Sequence, residues 1–455
     1  MSDRTRSLNN RRIFIFWLPL AATWLMMAVE GPFLAAVIAR LAEPKYNLAA
    51  YGVAYSFALI VEAPIIMIMS AATALVKDGD SYLKLRNFTY FLNGTITALM
   101  LVLLIPPVFY FITERLIGLP AEVARLTHWA TILLIPWPGA IGYRRFYQGV
   151  LIRSNLTRRV AYGTIIRLTA MSTTAVILYN FSEISGAMVG GAALAMGVTS
   201  EAIASKTMAR SPVKYLLSSG ESEASGTSQL SYRYIFKFYY PLALTSIIAL
   251  GVQPMITFFV GQSRLAIESL AVLPVIISLV FIFRSLGLSF QEAGIALMGE
   301  KYEGYVPLRN FAALLGVAVI GGLSLLAFTP LAVTWFHTIS GLSMDLTHIA
   351  ILPARIMAIM PGLTVLLSFQ RSVLVNSKNT SPITLATIIE VAGIFTVLFI
   401  SIKFLNLIGA VAAALAFVAG RFAANGYLFR PYFSALKKTV SQSMPKTVEE
   451  IPDRI

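Results

Sequence analysis

Ile13-Phe14-Ile15-Phe16-Trp17-Leu18-Pro19-Leu20 opens an apolar run over 13–37 that holds one carboxylate, Glu30, followed by Gly31 and Pro32. At about 1.5 Å of rise per residue, a helix of this length crosses the hydrocarbon of a bilayer. The stretch returns 222 positions later. Ile13, Phe14, Phe16, Pro19, Leu20, Ala21, Thr23 and Pro32 have identical residues at Ile235, Phe236, Phe238, Pro241, Leu242, Ala243, Thr245 and Pro254. Eight identities at one offset, two of them prolines inside a membrane-length run, mark an internal duplication. The fold class read from this pattern is an all-α integral membrane protein built from two related halves.

Composition agrees. Hydrophobic residues make up 57% of the 455-residue chain and charged ones 13%, well away from soluble averages. That content predicts twelve transmembrane helices, at about 13–38, 48–75, 88–112, 126–150, 160–180, 184–207, 235–260, 267–294, 310–335, 346–371, 382–402 and 406–429. The first run is too long for a cleavable signal peptide and reads as a permanent anchor. With no cysteine, neither a disulfide framework nor a thiolate metal site is available.

A net charge of +15 suggests nucleic acid, but the placement of the charges argues otherwise. Of 36 Lys and Arg, 27 fall on the side of the N-terminus, counting those in the adjoining halves of spans, among them Arg11, Arg12, Arg144, Arg145, Arg158, Arg159, Lys437 and Lys438; six fall opposite, and three others (Arg167, Arg284, Arg355) are read as charges within spans. This is the positive-inside bias, which puts both termini in the cytoplasm of a plasma, or bacterial inner, membrane. The expected partners are the lipid bilayer and a small-molecule substrate, with no nucleic acid, and a monomer is expected.

The halves divide as a six-helix lobe over 1–208, a flexible polar linker over 209–232, a second six-helix lobe over 233–434 and a charged tail over 435–455. Six spans per half make the repeats parallel, with substrate held between lobes near mid-membrane. Leu48-Ala49 returns as Leu270-Ala271, and Val53 as Val275. Tyr147-Gln148 returns as Phe369-Gln370, each running into a basic loop, Ile152-Arg153-Ser154-Asn155 and Val375-Asn376-Ser377-Lys378. Gln148, Gln370, Pro32 and Pro254 are thus the repeat motif. There is no phosphate-binding Gly-Lys-Ser/Thr loop and no nucleophile–base constellation, so neither an ATP-driven pump nor an enzyme is read here, and no catalytic residue is assigned. His128, His337 and His348 lack metal-ligand spacing and read as rim residues.

Ionisable groups inside spans are costly and face a cavity or a partner. Glu30 sits about 12 Å from the far end of span 1, and its repeat position is Val252, so the second lobe folds without this charge. A carboxylate in a low-dielectric cleft can exchange a proton or hold a cation, and Pro32 and Pro19 free backbone carbonyls beside it. The alternative is a structural hydrogen-bond partner. Glu62 and Arg284 differ by the same 222 positions, which puts opposite charges at equal depth in the two lobes, as an inter-lobe gate or as two separate intra-lobe pairs. Arg167 and Glu390, one residue off that register, form a second cross-lobe candidate. Arg355, about 15 Å from the outer surface, reads as an anion ligand or as counter-charge to Glu30. Gln253 is a further candidate for substrate or coupling-ion contact. No cofactor is called for beyond a coupling proton or Na⁺, and no metal site.

Twelve spans in two parallel lobes, with an acid in span 1 and a Gln-to-basic-loop junction ending spans 4 and 10, resemble the multidrug/oligosaccharidyl-lipid/polysaccharide transporter superfamily, which includes MATE exporters and lipid-linked sugar flippases. Within it the chain is most similar to the progressive ankylosis protein family of anion exporters. Leu48-Ala49-Ala50-Tyr51-Gly52-Val53-Ala54-Tyr55-Ser56, Phe238-Tyr239-Tyr240-Pro241-Leu242-Ala243-Leu244, Leu352-Pro353-Ala354-Arg355-Ile356 with Pro361, and Gly149-Val150-Leu151-Ile152-Arg153 carry that likeness. The family has an acid near Arg167 and a base near Glu390, reversed here, which fits a paired role. The absence of a long acidic tail resembles a compact bacterial member.

The resemblance implies a MATE-like fold and a secondary exporter working by alternating access. Together with Arg355 it favours an organic or phosphate-bearing anion as substrate. Glu30 alone favours a MATE-like cation or drug antiporter coupled to protons or sodium. A lipid-linked precursor flippase is the third reading, and a non-transporting scaffold or receptor the one of different class.

Overall fold

The computed structural model describes residues 8–154, 156–219, 230–299, 302–377 and 381–443. Among them the chain is helical almost throughout. Asn9 caps the first helix, its Oδ1 accepting from the Arg12 N–H at 3.0 Å. Pro32 has no N–H for the carbonyl of Ala28, and the helix breaks one residue later, giving Asn10–Ala28 (α1) and Glu30–Ile38 (α2) with Val29 between them. Pro64 interrupts the next rod in the same way, leaving Pro44–Glu62 (α3) and Ile68–Leu75 (α4). An Asp78–Ser81 capping box starts Gly79–Leu103 (α5), which turns by 74° into Pro106–Tyr110 (α6) and the π-helical Phe111–Leu116.

Ala121–Leu133 (α7) and Pro136–Arg153 (α8) form a third broken rod, followed by Thr157–Phe181 (α9), Gly186–Met208 (α10) and Arg210–Ser219 (α11). The second half comprises Tyr232–Gly261 (α12), Ala266–Leu297 (α13), Tyr305–Phe328 (α14), Leu331–Val333 (α15) with the π-helical Thr334–Ile339, Met344–Ile356 (α16), Met360–Asn376 (α17), Ser381–Lys403 (α18) and Gly409–Ser443 (α19).

Nine helices among the described residues are long and apolar enough to cross a membrane, and the bent pair Gly79–Leu103 with Pro106–Leu116 makes a tenth. The other two positions expected to span, 48–75 and 126–150, are occupied by the interrupted rods α3–α4 and α7–α8, whose breaks at Pro64 and Pro136 leave no continuous apolar helix. Two other readings also change. Within the stretch read as a flexible linker, 210–219 is a helix packed against α5 through Leu216 and Leu217, while 220–229 lies outside the described residues. The tail read as starting at 435 is helical to Ser443, with 444–455 outside the described residues. Asn155 and Lys378 of the two basic loops also lie outside them.

The duplication is written into the backbone as well as the sequence. Glu43 (φ 49°) and Leu265 (φ 53°) hold the strained left-handed conformation just before the second helix rod of each half. Gly118 (φ 85°) and Gly341 (φ 78°) repeat it after the two π-helical turns. The copies of the proline motif diverge, however. Pro32 ends a helix, whereas Pro254 lies within the unbroken α12.

The lobes exchange the starts of their first helices. Ile13, Trp17 and Ala21 of α1 are buried with Phe290, Phe311 and Leu315 of the second lobe, and Trp17 Nε1 donates to Ser289 Oγ at 2.8 Å. The repeat position of Trp17 is Tyr239, whose hydroxyl donates to the carbonyl of Pro64 in the first lobe at 2.5 Å. Past its break, α2 also meets its own lobe, where Ile38 packs against Gly186 and Gly190 of α10, while Gly31 stays against Ser278 of α13. The first rod is thus held by both lobes, and Val29–Glu30 is the joint.

Candidate functional site

The face from which α1 starts is called here the near face, and the opposite one the far face. The lobes meet closely on the far half. Arg40 donates to the carbonyls of Thr338 and Ile339 at 2.8 Å each, Lys45 pairs with Glu268 at 2.7 Å, and Gln262 Nε2 donates to the carbonyl of Leu116 at 2.9 Å. Deeper in, the Ser56 and Thr257 hydroxyls share a 2.8 Å hydrogen bond. Two glycines allow the approach. A Cβ on Gly31 would stand 2.8 Å from Ser278 Cβ, and one on Gly52 2.8 Å from Pro274 Cγ.

Gly52→Leu is therefore expected to wedge this half apart. The chain has no cysteine, so Thr257→Cys supplies a single thiol. It should react with a membrane-impermeant maleimide from the far side in the Gly52→Leu background and stay protected without it. Equal labelling in both would place the seal elsewhere.

Below the seal, at the joint of the first rod, lies a buried ionic network. Glu30 Oε2 accepts from Arg167 Nη2 of α9 at 2.5 Å, and Arg167 Nη1 stands 4.0 Å from Glu201 of α10. Glu201, with its side chain 1% exposed, also accepts from Arg144 and, at 3.0 Å, from Gln148 Nε2, both on α8. Arg145 Nη1 donates to Met69 Sδ at 3.7 Å. Glu62 closes the row by accepting from Trp137 Nε1 at 2.9 Å. Three carboxylates thus face three arginines in one lobe. One oxygen of the set, Glu30 Oε1, is enclosed and has no hydrogen-bond partner among the described residues.

The second lobe carries a counterpart of reversed sign. Glu390 of α18 accepts from Arg421 of α19 at 2.7–2.8 Å, which mirrors Arg167 and Glu201 on the fifth and sixth helices of the first lobe. Arg421 Nη1 and Arg284 Nε both point at Thr364 Oγ1 of α17, at 3.1 and 3.4 Å. The repeat glutamines stay equivalent: Gln148 reaches Glu201, and Gln370 Nε2 donates to the carbonyl of Asn425, at 3.2 Å.

The cross-lobe pairings expected from the repeat are not formed. Glu62 is held by Trp137 and Arg284 by Thr364, each in its own lobe; Arg167 is taken by Glu30 and Glu201, and Glu390 by Arg421. Arg355 is corrected as well. It is exposed, donates from Nε to the Ala327 carbonyl in the last turn of α14 at 3.1 Å, and lies 5.6 Å over the Phe328 ring. This is a basic side chain capping a helix C-terminus and snorkelling along apolar surface, and the counter-charge of Glu30 is Arg167 instead.

Arg355→Ala is accordingly expected to leave solute flux within about twofold of the parent and to cost at most about 1 kcal/mol of stability. A flux loss of an order of magnitude would return it to the substrate path. Gln253 lies half-buried on α12, one turn from Thr257, and its side chain makes no hydrogen bond to the described residues. His128 differs from the rim reading: it is buried, with Nε2 at 2.8 Å from the Leu104 carbonyl at the α5–α6 bend.

The sequence reading missed Glu201, Arg144, Arg145, Arg371 and Arg421 as site residues. The signal was present, because each falls inside a predicted span or at its last residue, yet the arginines among them were counted as topological charge.

No family profile matches the sequence, and no curated protein sequence matches it. Solved structures do match in fold. An inward-facing multidrug resistance MATE family transporter of the MOP superfamily superimposes with a TM-score of 0.72 at 13% identity, over 94% of this chain and 99% of that one. The lipid II flippase MurJ, in an inward closed conformation, gives 0.69 at 14% identity over 93% and 91%. An outward-facing MATE family transporter gives 0.61 at 14% identity over 96% and 98%. The chain has the MATE-like fold.

Proposed function

From that fold and its ionic joint, we propose that the chain is a secondary active transporter that exports a small solute, an organic or phosphate-bearing anion, by alternating access between two lobes. The observation that carries this reading is the first rod. Its near half is packed into the second lobe, its far half lies between α10 of the first lobe, through Ile38, and α13 of the second, through Gly31, and Glu30 sits at the joint, paired to Arg167. Any rocking of the lobes must bend or straighten α1–α2 there, so lobe movement and the Glu30–Arg167 pair are mechanically linked.

The sealed far half, and the higher TM-score against the inward-facing than the outward-facing relative (0.72 against 0.61), support reading this conformation as inward-facing. With the near face taken as cytoplasmic, both termini lie inside. A monomer suffices for this mechanism, since both lobes belong to one chain.

A second reading rests on Glu30 Oε1, which is enclosed and unpartnered. A proton or Na⁺ bound there would make the chain a MATE-like cation or drug antiporter. The likeness to the lipid II flippase keeps a lipid-linked precursor as the third cargo class. One assay separates the three. Proteoliposomes holding the full chain are loaded with radiolabelled anions, organic cations or a fluorescent lipid-linked sugar, and flux is followed under imposed pH or sodium gradients. Gradient-driven anion flux supports the leading reading, cation flux the second and lipid translocation the third. No flux of any class under any gradient would leave a scaffold or receptor.

A further inference from the structure

The two lobes share an architecture but not a charge balance. In the first, Glu30, Glu62 and Glu201 stand with Arg144, Arg145 and Arg167 and the sum is zero. In the second, Arg421 pairs with Glu390, the one carboxylate among the described residues that also acts on Arg284 and Arg371. The charged groups facing Arg284 are Arg421 and Glu390, and the same two face Arg371. The nearest further acid on α13, Glu292, accepts from Trp24 Nε1 of α1 at 3.4 Å. Among the described residues, two positive charges of this cluster are therefore left without a counter-charge, where an uncompensated ion is costly.

The hydrogen bonding of the three arginines matches this imbalance. Thr364 Oγ1 donates to the Met360 carbonyl at 2.9 Å and takes both Arg421 Nη1 and Arg284 Nε on its own lone pairs, which uses up that hydroxyl. Arg284 has no other bond to the described residues, and its two Nη groups are not enclosed. They form an open fork. Arg371 reaches only Thr387 Oγ1, at 3.3 Å, and its Nε is enclosed without a partner.

We infer that the second lobe holds a binding site for a small dianionic oxyanion, with Arg284 and Arg421 as its ligands and Arg371 supplying flanking charge. The excess of two positive charges sets the charge of the ligand. The fork of Arg284 sets its shape, because two parallel N–H groups match two oxygens of a phosphate or carboxylate and have no match on chloride. The site deepens the transport reading and rests on it: the oxyanion bound here is the head of the cargo.

Binding is measured on the full chain, purified in detergent, by thermal unfolding with inorganic phosphate, malonate or chloride at constant ionic strength. Phosphate should raise the midpoint in a saturable way, and chloride should not. Arg284→Gln removes a charge that has one long hydrogen bond, so without anion it should unfold at or above the parent midpoint, and its phosphate affinity should fall at least about tenfold. Glu390→Gln removes the competing carboxylate while Arg421 keeps Thr364, and should tighten phosphate several-fold. A purely structural cluster would show neither change.

A response to malonate alone upholds the site and assigns it to a carboxylate head. An unchanged midpoint with every anion, or an Arg284→Gln protein that responds like the parent, overturns it. The readout is equilibrium binding, so its failure leaves the flux assay and the transport reading standing, and a failed flux assay leaves this result standing.

Discussion

Glu30→Gln is expected to lower gradient-driven flux about tenfold or more and to flatten its dependence on imposed pH, with insertion and folding retained. Glutamine keeps the shape and one oxygen for Arg167, and Arg167 keeps Glu201 at 4.0 Å, so neither side of the pair becomes a wholly unpartnered buried group. What is lost is the ability to exchange a proton or hold a cation at the joint between α1 and α2. Arg167→Gln differs in kind, because it leaves a charged carboxylate at Glu30 with no basic partner and should impair folding as well as flux. The two variants thus separate a coupling role from a structural one. If Glu30→Gln transports with the parent's pH profile, the pair is only a rivet between α2 and α9, and coupling must be sought elsewhere.

The duplication was legible because membrane helices carry their signal in long apolar runs, and because prolines and left-handed turns are backbone commitments that both copies keep. Ile13 to Ile235 fixed the register, and Glu43 with Leu265 shows that the backbone obeys it. Depth along the membrane followed directly from residue number. Which way a side chain points around its helix did not, and that is where the site reading parted from the structure. Glu62 and Arg284 share a depth, yet each turns into its own lobe.

The partners of Glu30 could be found only by testing ionisable residues against one another within a lobe. The repeat register offers Arg167 to Glu390, whereas its partner is Glu30. Arg144 and Arg145 were hidden for a different reason. The positive-inside bias explains basic residues near a span end well enough that their burial is not suspected, although one of them is 5% exposed. Arg355 failed in the opposite sense, because an arginine among apolar residues suggests a ligand when the helix surface and a nearby C-terminus already satisfy it.

Glu201→Ala is expected to be the most destabilising single change in the first lobe, at about 3–5 kcal/mol, which is enough to prevent recovery of folded protein. Its carboxylate receives Arg144 and Gln148 and stands beside Arg167, so removing it strands one guanidinium completely and half-strands a second. The Arg144 Nε is already enclosed without a partner, which leaves that side chain no slack. Arg144→Met alone should cost less, because Glu201 would keep Gln148 and Arg167. The decisive variant is the double one, Arg144→Met with Glu201→Leu, which replaces a buried pair by apolar side chains of similar volume. Such replacements are often close to neutral, whereas breaking a pair is not, so the double variant should unfold above Glu201→Leu alone, and the cycle closed with Arg144→Met and Glu201→Leu as its singles should show a coupling of about 2 kcal/mol or more. Thermal unfolding in detergent reads all of these proteins on one scale. If the double variant is instead as unstable as the sum of its parts, Arg144 and Glu201 do not act as a pair, and the first lobe is held by apolar packing around them.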